Sequence, residues 1–270
     1  MSISASLVKE LREKTGVGMM DCKKALAETS GNLEEAVKYL RERGLAMATK
    51  KADRSAKEGR FFTQVDGQKA SIVELTCETD FVASNDAFTH LGDTLAKAVL
   101  DQNISSQEAL ESAIVNEKPI TEHISETVLK VGENIVLGKS ELVSAEGSLA
   151  DYSHMNGKIA VVVAFSGAVD AELAKDVAMH IAATNPSFIQ RNEIPEEELS
   201  KEREILKTQV LNEGKPEAIV DKIVEGKLSK YCQGICLVDQ AFVKNSDQKV
   251  GDILPEGISV SAFKRLSIVD

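Results

Sequence analysis

The sequence RFFTQVDGQKASIVELT, residues 60–76, has a hydrophobic period near two, whereas the helical segments that precede it have a period near 3.6. Its two apolar runs flank Asp66-Gly67, a dipeptide that favours a tight β-hairpin because both central residues of such a turn adopt positive φ. The stretch therefore predicts an antiparallel hairpin. Helical patterns on both sides of it predict the α+β class.

Before this hairpin, residues 1–55 predict a small three-helix module followed by a basic linker. Apolar residues recur at helical spacing in three short segments, and glycine-containing breaks separate the segments. Asn32 suits the N-cap of the third helix. The linker, residues 48–59, is small, basic and without periodicity, which predicts a mobile segment with a partly helical alternative. Residues 1–60 carry more Lys and Arg than Asp and Glu, although the whole chain has a net charge of -11.

After the hairpin, one order of elements occurs twice, which predicts a core of two related α+β subdomains with antiparallel sheets. A helix over 87–100 follows the first hairpin, and a second hairpin around Asn156-Gly157 precedes a helix over 171–182. Two helical patterns near 106–116 and 119–131 and a strand over 133–143 lie between them. The predicted subdomains span 56–145 for the first, and 146–190 with 232–270 for the second.

Residues 191–231 predict a charged helical hairpin, of coiled-coil type, inserted in the second subdomain. Pro195 suits a first helical position, Gly214 ends that helix, and Pro216 begins the next. Two apolar runs after the hairpin, GICLVDQAFV (234–243) and ISVSAFKRLSIVD (258–270), predict the closing strands. The residues alone leave open whether the hairpin satisfies its own apolar seam or pairs with a second copy of the chain.

Composition excludes several classes of protein. A hydrophobic content of 43% is typical of a folded globular chain. A net charge of -11 argues against a general nucleic-acid binder, since phosphate contacts need an excess of basic residues. The longest apolar run, Ile159–Phe165, is far too short to span a membrane. Four cysteines that form no disulfide framework predict reduced thiols and a cytoplasmic location.

The motifs of most enzymes are missing, so no catalytic residue, metal or cofactor is predicted. The chain has no phosphate-binding loop of Walker type, no G-x-G-x-x-G and no H-E-x-x-H. Cys232 and Cys236 lack a second ligand pair for zinc and are predicted to be buried thiols. His90 and His180 fall in amphipathic helices, where a structural role is the simpler interpretation.

Two segments are candidates for partner contact. Met19 and Met20 point about 100° apart on a helix, so one core cannot easily bury both. Asp80 and Phe81 follow the end of a predicted strand. For this pair three interpretations compete: a helix cap with a core anchor, the edge of an active site, or a probe inserted into another protein. The residues alone do not decide between them.

Four motifs, in order, resemble the bacterial elongation factor Ts family. They are LVKELREKTGVGMMDCKKAL (7–26), TDFVASND (79–86), VGENI (131–135) and AMHIAATNPSFI (178–189). The resemblance implies a guanine-nucleotide exchange factor for the translational GTPase elongation factor Tu. It also implies an N-terminal module like a ubiquitin-associated domain, a two-subdomain core and a coiled-coil hairpin linked to homodimerisation.

The resemblance also implies roles for individual residues. The loop Thr79, Asp80, Phe81, Val82 would promote nucleotide release, with Asp80 and Phe81 inserted beside the partner's nucleotide site. Val131 and Gly132 would lie near this loop, Met19 and Met20 would dock the N-terminal module, and His154 would face a more distant partner domain.

Two other functions compete with this one. The first is a non-catalytic adaptor that binds ubiquitin-like or RNA-associated proteins through the three-helix module. The second is an enzyme that depends on a metal or on Cys232 and Cys236. For the chain itself, no direct contact with nucleic acid or membrane is predicted.

Overall fold

The structure, a computed structural model, describes residues 3–269. Met1, Ser2 and Asp270, which the predicted N-terminal module and last strand include, lie outside the described residues. The described chain combines α-helices with antiparallel sheets, which confirms the predicted α+β class.

Residues 3–269 form eleven α-helices, ten β-strands and two short 3-10 segments. The helices are α1 (Ala5–Thr15), α2 (Met19–Glu28), α3 (Leu33–Lys51), α4 (Asp80–Ala83), α5 (Asp86–Asp101), α6 (Gln107–Ser112), α7 (Ile120–Val131), α8 (Ala171–Thr184), α9 (Glu196–Asn212), α10 (Glu217–Ile235) and α11 (Val250–Ile253). The strands are β1 (Glu58–Asp66), β2 (Lys69–Cys77), β3 (Ile114–Val115), β4 (Lys118–Pro119), β5 (Ile135–Ser144), β6 (Leu149–His154), β7 (Ile159–Phe165), β8 (Ala241–Phe242), β9 (Asn245–Lys249) and β10 (Val260–Ser267).

The described residues divide into two compact units. The first unit contains residues 3–143, 155–160 and 266–269, and the second contains residues 144–154 and 161–265. The four domain ranges inferred from the sequence stay a prediction.

The core of the first unit lies between a three-stranded sheet, in the order β1-β2-β5, and helix α5. The buried residues of α5 recur at helical spacing on one face, and Phe88 packs against Phe62 of β1 with ring centroids 6.0 Å apart. This packing fixes the end of β2, from which the chain continues into α4.

Helices α1, α2 and α3 form their own apolar cluster within the first unit, and Leu129 of α7 completes it. Asn32 caps α3 as predicted, since its side chain accepts from the amides of Glu34 and Glu35. The predicted linker is helical at its start, as its partly helical alternative allows, because α3 continues to Lys51. The reason is tertiary packing: Met47 of α3 packs against the core of the sheet, which periodicity alone does not reveal.

The first hairpin exists, but its turn differs from the predicted one. Asp66 pairs with Lys69, so the two-residue loop is Gly67-Gln68 rather than Asp66-Gly67. Of these two loop residues only Gly67 has positive φ, at 56°. Glycine at the first loop position with positive φ is the pattern of a type II′ turn, which also matches the strand twist.

A second difference concerns residues 106–116, where a helix was predicted. Helix α6 ends at Ser112, and a short hairpin of β3 and β4 follows. Asn116 and Glu117 form its turn, with φ of 48° and 65°. Two consecutive positive φ values are the type I′ arrangement, which sequence rules associate with Asn-Gly and not with Asn-Glu.

The second unit contains a three-stranded sheet in the order β10-β7-β6, and β7 is buried along its whole length. Helix α8 packs against this sheet. His180 of α8 is buried and hydrogen-bonded to Gln240 at 2.9 Å, which confirms its structural role. Burial lowers the pKa of His180, so the ring is neutral at physiological pH.

Helices α9 and α10 pack along an apolar seam in the second unit. The seam residues are Leu206, Val210, Val220, Val224 and Leu228. Pro195 and Pro216 precede these helices as N-cap residues rather than occupying their first positions.

The strand predicted over 234–243 is largely wrong. Helix α10 continues to Ile235, a 3-10 turn spans Leu237–Asp239, and only Ala241–Phe242 is a strand. Cys232 and Cys236, one helical turn apart, are both buried with Ile194 in one apolar cluster. A short apolar run fits a buried helix end as well as a strand, which explains the error.

Helix α5 generates a stability prediction. A methyl group at Gly92 would overlap the ring of Phe62, whereas one at Gly226 of α10 would meet no atom within 4 Å. Alanine gains about 1 kcal/mol of helix propensity at either site. Overpacking costs about 1–3 kcal/mol, or more against a fixed ring.

Gly92→Ala is therefore expected to lower the free energy of unfolding by about 1–2 kcal/mol, and the control Gly226→Ala to raise it by up to about 1 kcal/mol. Urea denaturation followed by circular dichroism measures both. A Gly92→Ala variant at least as stable as the parent would contradict the packing described.

Candidate partner-binding site

The site begins where β2 ends at Cys77 and the chain turns into the four-residue helix α4. Thr79 is the N-cap of α4, and its hydroxyl accepts from the amide of Val82 at 3.3 Å. The cap is thus Thr79 and not Asp80. Asp80 lies in the first turn of α4 with an exposed side chain.

Phe81 is the most exposed large hydrophobic side chain among residues 3–269, at 85% of its full accessibility. Its neighbours Val82 and Ala83 are buried in the core of the first unit. The short helix therefore directs two residues inward and one aromatic ring outward. The interpretation of Phe81 as a core anchor is wrong. A ring left in water forgoes about 2–3 kcal/mol of burial.

Two carboxylates hold this turn: one lies on the segment that faces the turn, and the other belongs to the residue just before Thr79. The carboxylate of Glu133 accepts from the Thr79 amide at 2.9 Å and from the Thr79 hydroxyl at 2.8 Å. In return, the carboxylate of Glu78 accepts from the Asn134 amide at 2.7 Å. We call these four residues, Glu78, Thr79, Glu133 and Asn134, the carboxylate clamp. Sequence reasoning missed its two carboxylates, although TDFV and VGENI stood out as motifs.

The clamp is tied to the end of α3 as well. The buried side chain of Asn134 donates to the carbonyls of Ala52 and Arg54, at 3.3 and 3.0 Å. The Arg54 guanidinium lies 3.4 Å from the Glu78 carboxylate. The hydrogen bond from the Asn134 amide, assisted by Arg54, holds the pKa of Glu78 below its ordinary value, so the carboxylate is charged at neutral pH.

Val131 and Gly132 lie beside the turn, because they immediately precede Glu133 in the chain. Val131 is half-buried against the core of the first unit. Gly132 is the exposed C-cap of α7, with φ of 77°, and its carbonyl accepts from Lys51 at 2.6 Å. The structure thus brings these two residues together with Thr79 in one surface of the first unit.

The other end of α4 is held by β1 and the loop of residues 155–158. Arg60 of β1 donates to the Ala83 carbonyl at 3.4 Å and to the carbonyl of Asn156 at 2.5 Å. The Phe61 amide donates to the Gly157 carbonyl at 2.7 Å. Both ends of the short helix are therefore fixed by groups outside it.

Met19 and Met20 are the first two residues of α2, and both are exposed, at 55% and 76%. Val17 and Cys22 on either side of them are buried and fix the turn. The sequence argued that one core cannot easily bury both methionines. In the structure the core buries neither of them.

His154 is the last residue of β6, in the second unit, and its side chain is exposed. Its ring stacks on Tyr152 with centroids 5.9 Å apart, and its Nδ1 lies 3.3 Å from the Tyr152 hydroxyl. An exposed aromatic pair with polar atoms is suited to contact with a protein surface.

Metal-binding and thiol chemistry are the two enzymatic possibilities that the sequence leaves open. Residues 3–269 contain no group of three or more His, Cys, Asp or Glu side chains that could hold a metal ion. All four cysteines are free and buried, and burial raises the pKa of Cys77 to about 12 and that of Cys236 to about 11. The thiols of Cys77 and Cys236 are therefore protonated and unreactive at neutral pH. No helix in the described part of the chain is long and apolar enough to cross a membrane.

The family model for elongation factor TS matches residues 78–269, which is more than half of the chain. The match begins at Glu78 and therefore includes the carboxylate clamp, α4, the Val131-Gly132 turn, His154 and the helical hairpin. Members of this family are nucleotide exchange factors of elongation factor Tu in translation elongation. The chain belongs to the elongation factor Ts family.

Proposed function

We propose that the chain accelerates GDP release from elongation factor Tu by inserting Asp80 and Phe81 beside the Mg²⁺ and phosphates of the bound nucleotide. The observation that carries the proposal is the exposed ring of Phe81 on a short helix fixed at both ends. A pre-positioned aromatic side chain is the usual anchor of a tight interface. The proposed place of action is the cytoplasm, where translation takes place.

A GTPase holds GDP through phosphate-loop amides, a lysine and a Mg²⁺ ion that neutralises the phosphates. In the proposed mechanism the Phe81 ring enters an apolar gap between helices near the metal and displaces groups that orient its ligands. The carboxylate of Asp80 offers a competing negative charge. Thr79 and Val82 hold the loop, and Val131 and Gly132 contact the partner beside it.

One buried aromatic anchor can supply the binding energy that this mechanism requires. If about 4 kcal/mol of binding energy is spent on weakening the bound nucleotide, release accelerates roughly a thousandfold. Linkage then requires that GDP weakens the binding of this chain by the same factor, so an incoming nucleotide displaces it. This mechanism needs no acid, base, metal or cofactor from the chain, and it is therefore not enzymatic in the usual sense.

Phe81→Ala is expected to slow the maximal stimulated release of GDP about thirtyfold, since truncation of a buried anchor costs about 2 kcal/mol. Stopped-flow release of a fluorescent GDP from elongation factor Tu measures the rate at saturating concentrations of the variant. Ile114→Ala is the matched control, because Ile114 is an exposed apolar residue of the same unit, in the β3-β4 hairpin. Equal rates for Phe81→Ala and the control would remove Phe81 from the mechanism.

Met19 and Met20 are proposed to dock the first three helices on the GTPase. Exposed methionines are flexible and polarisable, and they adapt to apolar surfaces. His154, exposed on the second unit, is proposed to contact a more distant domain of the same partner. These contacts supply affinity, whereas the Asp80-Phe81 loop acts on the nucleotide.

The variant Met19→Ala/Met20→Ala is therefore expected to raise the half-saturating concentration about tenfold, or about 1.4 kcal/mol, with little change in the maximal release rate. Leu45→Ala, an exposed apolar residue of α3, is the control. Unchanged half-saturation would exclude the docking role. If the methionine variant lost all binding while Phe81→Ala released GDP normally, the three-helix adaptor would be the better interpretation.

The helical hairpin is proposed to mediate homodimerisation. Beyond its own seam, it exposes Ile205 and Leu211 on α9 and Ile219 on α10, each between 44% and 51% accessible. Apolar side chains exposed on both helices of a hairpin are a self-complementary surface for a two-fold interface.

Sedimentation equilibrium of the whole chain is expected to show a concentration-dependent dimer. Ile205→Glu/Ile219→Glu should shift it to monomer, because each change would bury an unpaired charge in the interface. Val243→Glu, an exposed apolar site elsewhere in the second unit, is the control. A wild-type chain that stays monomeric at the highest concentration would contradict the proposal.

A further inference from the structure

The orientation of Phe81 cannot come from helix α4 itself. A helix of four residues has barely one turn, and the first turn of a helix is unfavourable until further hydrogen bonds extend it. The direction of the exposed ring must therefore depend on contacts outside the helix, namely the burial of Val82 and Ala83 in the core and the hydrogen bonds at the two ends of α4. The structure contains such bonds at the Thr79 end, in the carboxylate clamp.

Glu133 makes the most direct of these bonds. Its two carboxylate oxygens accept separately from the amide and from the hydroxyl of Thr79. The same hydroxyl oxygen accepts from the Val82 amide. The Glu133 carboxylate thus positions the first turn of α4 through the Thr79 side chain. Hydrogen bonds to a charged acceptor are stronger and more directional than neutral ones.

Glu133 is itself held in place by its neighbours. The amide of the next residue, Asn134, donates to Glu78, and the Asn134 side chain is fixed by two carbonyls at the end of α3. Glu133 is half-buried, and the apolar core of the first unit closes without it. Its bonds therefore orient the exposed turn and are not needed to fill the core.

We propose that Glu133 is a positioning residue for nucleotide release, which acts through Thr79 to hold the Phe81 ring in its inserting orientation. The inference rests on the proposed function of Phe81. Without the clamp, α4 samples several orientations, and only the fraction with the ring correctly directed can act. Ordering the loop on binding then consumes free energy that a clamped loop would use to weaken the bound nucleotide.

The test is Glu133→Gln, which keeps the size of the side chain but replaces one acceptor oxygen with an NH2 donor. Glu117→Gln is the matched control, because it removes the same charge from an exposed turn of the same unit. In the stopped-flow GDP assay, Glu133→Gln is expected to lower the maximal release rate about tenfold, the effect of one charge-assisted hydrogen bond, and to leave half-saturation within about twofold.

A role in folding alone would not lower the maximal release rate while leaving half-saturation nearly unchanged. Partial unfolding reduces the amount of active protein, but each remaining folded molecule still acts at the normal rate. Hydrogen exchange provides an independent readout: the amides of Thr79 and Val82 should exchange about fivefold faster in Glu133→Gln, with the amides of α5 unchanged. Should Glu133→Gln not fold, Thr79→Val removes the hydroxyl end of the same bond, and Thr79→Ser, which keeps it, should lose less activity.

The double variant Glu133→Gln/Thr79→Val should be about as slow as the slower single variant, because both remove one interaction. Additive losses would overturn the proposal. So would a normal maximal rate for Glu133→Gln when Phe81→Ala is slow, and in that case the proposed function stands. If Phe81→Ala itself releases GDP normally, the proposed function fails and the positioning role fails with it.

Discussion

The candidate site depends on the pair of hydrogen bonds between the Glu133 carboxylate and Thr79. Helix α4 is too short to be stable alone, and Phe81 gains nothing from the core because its ring is in water. The burial of Val82 and Ala83 and hydrogen bonds from outside the helix together keep such a segment in one conformation. Glu133 supplies such bonds at the first turn, and Arg60 supplies one at the last. The backbone that carries the exposed ring is therefore part of the folded structure.

Because of this constraint, the stability of the first unit and the orientation of Phe81 depend on different groups of residues. A dry core between α5 and the sheet provides stability without any contribution from Phe81. The carboxylate clamp lies at the edge of that core and sets the direction of the Phe81 ring. The segment that follows α3 takes part through Ala52 and Arg54, so the three-helix module, whose helix α2 carries Met19 and Met20, is bonded to the same turn. In the proposed function, docking and insertion belong to different residues of one connected scaffold.

The sequence predicted those parts of the fold that depend on local signals. The period change after residue 59, the N-cap Asn32 and the apolar face of α5 each lie within a few neighbouring residues, and each is confirmed. The strand predicted near Cys236 failed because a short apolar run does not distinguish a buried helix end from a strand. The β3-β4 hairpin was missed because its turn is Asn-Glu, whose positive φ values no common sequence rule anticipates.

The candidate site shows the same limit. Asp80 and Phe81 stood out as an unusual pair, but their alternatives stayed open, since exposure is decided by packing with residues far away in the sequence. Glu133 was invisible for the same reason: it bonds to a residue 54 positions earlier, and no local pattern encodes that pairing.

The account is tested most directly by the rate of GDP release from elongation factor Tu measured with increasing concentrations of the wild-type chain. It predicts a rate that rises by orders of magnitude and saturates, because the nucleotide leaves from a complex with the inserted loop. A rate that stays at the spontaneous value at every concentration would contradict it.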